Sequence, residues 1–96
     1  MNYRFLTPAQ VELAEAVDFY EDAVPGLGLE FLDEVEKTIS RIKLHPEAWN
    51  PISGNQRRCR MRRFPYGLIY SVESGEIIVS ALMHFRRHPD SWKDRI

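Results

Sequence analysis

Arg58, Arg60 and Arg62 alternate with Cys59 and Met61 along one short stretch of the chain. Spacing of two belongs to a strand, where side chains two apart share a face. Three guanidiniums on one face can hold RNA phosphates or the carboxylates of a partner through paired hydrogen bonds. The same row also serves, in a simpler reading, as a charged face that keeps the strand from pairing with another chain. Arg57 and Arg63 flank it, and Arg63, beside the Phe64-Pro65 break, is expected to support the local turn. A second concentration of chemistry lies in Tyr66–Tyr70 and His84–Arg87, expected on the two strands of a hairpin. The unperturbed pKa of histidine lies near neutrality, so His84 suits a general acid or base in cleavage of RNA by its own 2′-hydroxyl. Arg86 or Arg87 would then stabilise charge on the reacting phosphate, and one such preorganised donor is worth ~3–4 kcal/mol of barrier. The competing reading makes His84 a backbone-bonded residue at a strand end and pairs the arginines with acidic helices. Trp92 either stacks on a partner or pins the tail to the domain. If the chain is a nuclease, the candidate catalytic set is His84, Arg87, Arg58 and Arg60. The candidate partner-binding set is Arg58, Arg60, Arg62, Tyr70, Arg86, Arg87 and Trp92.

The elements that would position these residues can be read from periodicity. Tyr3-Arg4-Phe5-Leu6 suits a first strand. Thr7-Pro8-Ala9-Gln10 looks like a helix start, with Thr7 as cap and Gln10 closing a capping box. Leu13, Val17, Tyr20 and Val24 continue at helical spacing, with Glu12, Glu15, Asp18, Glu21 and Asp22 on the outer face. Pro25-Gly26-Leu27-Gly28 predicts a tight turn. Phe31, Leu32, Val35, Ile39 and Ile42 form the stripe of a second helix, which His45-Pro46 ends. Residues 47–56 read as loop, with Trp49 reaching the core. Arg58–Arg62, Tyr66–Val72 and Ile77–Phe85 read as three strands, the last two joined by a turn over Glu73–Glu76. Cys59 and Met61 point to the dry side, where Cys59 is a small buried hydrophobe. The expected architecture is α+β, in the order β-α-α-β-β-β, an antiparallel sheet with the helix hairpin on one face.

Composition limits what such a domain can do. The 96 residues suit a single domain spanning 1–96. No apolar run approaches the ~20 residues of a membrane span, and no secretory leader is expected in Met1–Leu6. A single cysteine offers no internal disulfide. The expected location is therefore cytoplasmic, with no membrane partner, no metal and no cofactor. The net charge of −1 hides a split: residues 1–36 hold one base and nine acids, whereas residues 37–96 hold twelve bases and five acids. Two faces with different partners are implied. A basic, partly apolar sheet face would attract an acidic amphipathic segment that folds as it binds.

Several strings, in order and at matching spacing over nearly the whole chain, resemble the RelE/ParE toxin superfamily. They are Phe19-Tyr20-Glu21, Gly26-Leu27-Gly28, the phrase from Arg63 to Tyr70, and the ending from His84 to Trp92. That ending is close to the H-x-R-R-x-P-x-x-W of the ParE-like branch. The resemblance implies a growth inhibitor of a type II toxin–antitoxin system. It is neutralised by a cognate antitoxin whose C-terminal segment is disordered when free and wraps the toxin. RelE-like members cleave mRNA on the ribosome, and ParE-like members inhibit DNA gyrase. The basic strand residues of RelE-like nucleases fall on Arg58 and Arg60, and a later basic residue falls on Arg87. Their arginine before a Leu-Val-Tyr string is replaced by Gly67, before Leu68-Ile69-Tyr70, and no tyrosine follows Tyr70 to match their C-terminal one. The expectation is a ParE-like gyrase poison rather than an enzyme. The alternatives are a ribosome-dependent mRNA endoribonuclease and a non-toxic antitoxin-binding corepressor. DNA would be reached only indirectly, through the antitoxin.

Overall fold

The computed structural model describes residues 1–86. Its elements are β1 (Asn2–Phe5), α1 (Thr7–Ala23), α2 (Leu27–Leu44), β2 (Pro51–Ser53), β3 (Gln56–Arg60), β4 (Tyr66–Glu73) and β5 (Glu76–His84). The strands form one sheet in the order β1-β5-β4-β3-β2. The α+β class and the helix hairpin are as expected, and two features of the sheet are additional. Residues 51–53, read as loop, pair antiparallel with β3 as a short outer strand. β1 runs parallel to β5, with Tyr3 beside Ile77 and Phe5 beside Val79. The sheet is therefore mixed, antiparallel from β2 to β5 with one parallel edge.

The entry to α1 differs from the capping-box expectation. Leu6 is the N-cap and makes no side-chain cap, and Pro8 sits in the first turn. The Leu6 N–H donates to Val79 O at 2.9 Å, so the chain passes from strand pairing directly into helix. Gln10 supplies the side-chain bond instead, its amide donating to Phe5 O at 2.9 Å. Glu12 does not lie on the solvent face with the other acids. Its carboxylate accepts the Leu82 N–H at 3.1 Å. β1 pairs with β5 only as far as Val79, and Glu12 takes the place of a partner strand beyond it. An unpaired backbone donor there would otherwise cost a lost hydrogen bond.

The helices pack on one face of the sheet through aromatic rings. Tyr20 of α1 stacks on Phe31 of α2 with ring centroids 5.3 Å apart. Phe64 meets them at 4.8 and 5.0 Å, and Tyr66 of β4 meets Phe31 at 5.1 Å. Val35, Ile39, Ile42, Cys59, Leu68, Tyr70, Ile77, Val79 and Leu82 complete this core, with Trp49 packed against it. Ile77, Val79 and Leu82 face the same side although 79 and 82 are three apart. A bulge at Ser80 resets the alternation, because Ile69 pairs with Ala81 and Tyr70 with Val79. The extra residue is satisfied: the Ser80 hydroxyl lies 2.9 Å from Gln56 Oε1 and 3.3 Å from Ile69 O.

The strings Phe19–Glu21 and Gly26–Gly28 meet at the hairpin. The Glu21 carboxylate accepts the Gly26 N–H at 2.8 Å and the Gly28 N–H at 2.9 Å. It thus caps α2 from the preceding helix and places negative charge at the positive end of the α2 dipole. Gly28, expected in the turn, belongs to α2 and lets the helices touch: a Cβ there would lie 2.9 Å from both Val17 O and Glu21 Oε1. Two effects of Gly28→Ala compete. Alanine favours helix by about 0.8–1.0 kcal/mol, whereas forcing the backbones apart costs about 1–3 kcal/mol. The clash should win, lowering the urea midpoint of Gly28→Ala, with a similar fall for Glu21→Ala. A midpoint unchanged or raised in Gly28→Ala would show that the hairpin does not depend on this close approach.

Candidate functional site

Helices close one face of the sheet, and the arginine row is sorted between that face and the open one. The alternation in β3 sorts its residues cleanly. Cys59 is in the core and Arg57 reaches back under the sheet, its guanidinium donating to the carbonyls of Trp49 and Glu47. Arg58 and Arg60 point the other way, in register with Ile69 and Gly67 of β4. Arg62 does not continue the row. β3 ends at Arg60 and Arg62 lies in the irregular segment before β4, because Phe64 must turn inward to the ring cluster. Arg63 pairs with Glu30 of α2 and stacks its guanidinium on Phe64, 5.3 Å from the centroid. It supports the turn, as its position suggested.

The open face carries a small apolar cluster of Ile69, Ala81 and Met83, against which Phe85 packs. The Phe85 ring extends from the end of β5 across β4 to β3. It crosses at Gly67, where an added Cβ would lie 3.0 Å from Phe85 Cζ and 3.2 Å from Arg58 Cγ. Both guanidiniums rest against this ring: Arg60 lies 4.3 Å and Arg58 5.4 Å from its centroid. Each such cation–π contact is worth about 0.5–1 kcal/mol at an exposed site. The result is two charged forks held on one aromatic surface. Arg58 and Arg60 are legible from strand alternation, but the ring between them is not among the expected site residues. Its signal in the sequence is Gly67, which leaves room on β4, together with Phe85 at the end of the last strand's apolar run.

His84 is not part of this assembly. It is in register with Tyr66 on β4, and its ring stands edge-on to Tyr66, 4.9 Å between centroids. Tyr66 belongs to the helix-side core. The sheet therefore separates the imidazole from the Arg58–Arg60 pair. His84 Nδ1 accepts the Arg86 N–H at 3.1 Å, which leaves the proton of the neutral ring on Nε2. Arg86 is exposed at the chain's exit from β5. Tyr70 is removed from any partner surface: it is fully buried, and its hydroxyl donates to Pro46 O at 2.6 Å. Arg87 and Trp92 lie outside the described residues. Among the described residues no cluster of three or more His, Cys, Asp or Glu is arranged to hold a metal ion. No helix among them is long and apolar enough to cross a membrane.

The chain matches the family model of the ParE toxin of the type II toxin–antitoxin system parDE over residues 3–89. It belongs to the ParE toxin family. A solved structure of the chromosomal ParDE TA system from P. aeruginosa is similar to this ParE-family toxin with a TM-score of 0.75. The match covers 88% of this chain and 95% of that one at 15% identity, so the likeness is one of fold. No curated protein matches the sequence.

The buried acids of the toxin's core give it a pH signature. Burial pushes the Cys59 thiol from 9.0 up to about 11, against the opposing charges of Arg41 and Arg62. Burial, and next the neighbouring Cys59, pushes the Tyr70 hydroxyl from 10.0 up to about 12, against Arg57. Both shifts favour the neutral form in the folded state. Stability from Cys59 should be intact below about pH 9 and fall as the pH rises toward about 11. Urea unfolding across that window should show the loss, and Cys59→Ala should lack the part that begins near pH 9. Parallel losses in both proteins would mean that the thiol is not held neutral by the fold.

Proposed function

We propose that this ParE-family toxin inhibits growth by binding and poisoning DNA gyrase, and that a cognate antitoxin neutralises it in the cytoplasm. The observation that carries this reading is the pair Arg58 and Arg60, fixed on Phe85 on the sheet face that the helices leave open. A guanidinium pair of this kind binds oxyanions with directional hydrogen bonds and needs no proton transfer. The placement of His84 on the helix side supports binding over RNA cleavage. A general acid or base must reach the proton it moves within hydrogen-bond distance, directly or through one water. A sheet lies between His84, the group proposed for that task, and the bases meant to hold the phosphate. The departures at Gly67 and after Tyr70 lean the same way.

Antitoxin binding is supported by family membership and by charge. The segment that neutralises the toxin is expected to be acidic and amphipathic, folding as it docks. Operator recognition in the complex is the antitoxin's task, since no DNA-reading motif is visible in the toxin.

The test uses purified gyrase. The wild-type toxin should inhibit supercoiling, and Arg58→Ala/Arg60→Ala should do so at least about a hundredfold less well. Hydrogen bonds to charged groups contribute about 1.5–3 kcal/mol each, and 1.4 kcal/mol is tenfold in affinity. Circular dichroism should show the double variant folded. Full inhibition by that folded variant would remove the pair from the mechanism. Cleavage of mRNA on ribosomes by the wild type, abolished in His84→Ala, would replace the reading by that of a nuclease.

A further inference from the structure

We infer that Phe85 is a positioning residue: laid over Gly67, its ring fixes the Arg58 and Arg60 guanidiniums into a preformed pair that the toxin uses to engage its target. The inference rests on the proposed role of those two arginines and adds what organises them. Side chains two apart on a strand face start about 6–7 Å from each other. Two like charges at that spacing repel, and each long side chain has many rotamers to lose on binding. Free arginines would meet that cost at the moment of binding, which weakens it. Phe85 meets the cost in advance, because both guanidiniums already lie against its face, at 4.3 and 5.4 Å.

The ring can reach them only because β4 has no side chain at Gly67. The register sets Gly67 beside Arg60 and Ile69 beside Arg58. Any Cβ at Gly67 would lie within 3.0 Å of the ring tip and 3.2 Å of the Arg58 stem. The ring is braced from below by Ile69, Ala81 and Met83. Glycine in a strand interior weakens the strand, since it orders more backbone and packs nothing of its own. Its presence in a buried position of β4 is therefore explained by what lies on top of it, an aromatic that covers a glycine on the neighbouring strand.

Three variants separate positioning from folding. Phe85→Leu keeps an apolar side chain and removes the ring, while Phe85→Tyr keeps the ring. Gly67→Ala keeps the ring's chemistry and displaces it, with a residue better suited to a strand than glycine. In the free toxin, the Arg58 and Arg60 Nε–H resonances should be shifted upfield by the ring, and the shift should vanish in Phe85→Leu and shrink in Gly67→Ala. The induction level needed for growth arrest should rise roughly tenfold in Phe85→Leu, the size expected from losing two cation–π contacts. Phe85→Tyr should act as the wild type, and Phe85→Leu should add nothing to the loss in Arg58→Ala/Arg60→Ala. Arginine resonances indifferent to Phe85→Leu would overturn the inference whatever the target is. So would Phe85→Tyr proving as weak as Phe85→Leu, or Phe85→Leu retaining full potency. If growth arrest comes from a target other than gyrase, the gyrase reading falls while these comparisons still decide the role of Phe85.

Discussion

The contact on which this toxin depends is the meeting of four rings: Tyr20 from α1, Phe31 from α2, Phe64 from the turn and Tyr66 from β4. Their centroids lie 4.8 to 6.2 Å apart in stacked, tilted and edge-on pairs, arrangements that add to the large apolar area such residues bury. This cluster joins both helices to the sheet at one place and so decides which face of the sheet is closed. Once Tyr66 is committed to the core, its neighbour in register, His84, is held on the same side. The residues one position along, Gly67 and Phe85, then belong to the opposite side by alternation. The location of the basic pair and its separation from the histidine both follow from the side that Tyr66 takes.

The same alternation distributes the arginines among tasks. Arg57 ties down the Glu47–Trp49 loop, and Arg63 ties the turn to α2. Arg41 donates to Arg60 O at 3.3 Å and to Thr38 Oγ1 at 3.0 Å, covering the end of β3 beyond the reach of β2. What remains facing outward from β3 is the pair on Phe85. A run of bases that looks uniform in the sequence is thus divided by the face of the strand each residue occupies, some tied into the fold and two left on the open face against Phe85.

Much of this was legible in the sequence, for identifiable reasons. The stripe from Phe31 to Ile42 has one period and one buried face, so α2 could be read directly. Arg58, Cys59 and Arg60 show the strand alternation, and burial follows it. The parallel direction of β1 was not legible, because a four-residue strand carries no mark of its partner's direction. β2 is three residues beginning at a proline, too short for a pattern. The Ser80 bulge was hidden by the nearly continuous apolar run of β5, in which either face can be buried. Arg62 was misplaced because spacing alone does not say where a strand ends. Tyr70 and Phe85 both need their neighbours across the sheet. Tyr70 is a core residue whose hydroxyl has a backbone acceptor, and Phe85 lies against both guanidiniums of the basic pair.

As a proposed gyrase poison, this ParE-family toxin acts by binding rather than by cutting RNA. Pulse labelling after induced expression, following DNA and protein synthesis separately over the first minutes, tests it most directly. A gyrase poison stops DNA synthesis first while protein synthesis continues. Prompt loss of protein synthesis with DNA synthesis still running would contradict the claim. Chemistry would then have to be sought at His84, on the side of the sheet away from Arg58 and Arg60.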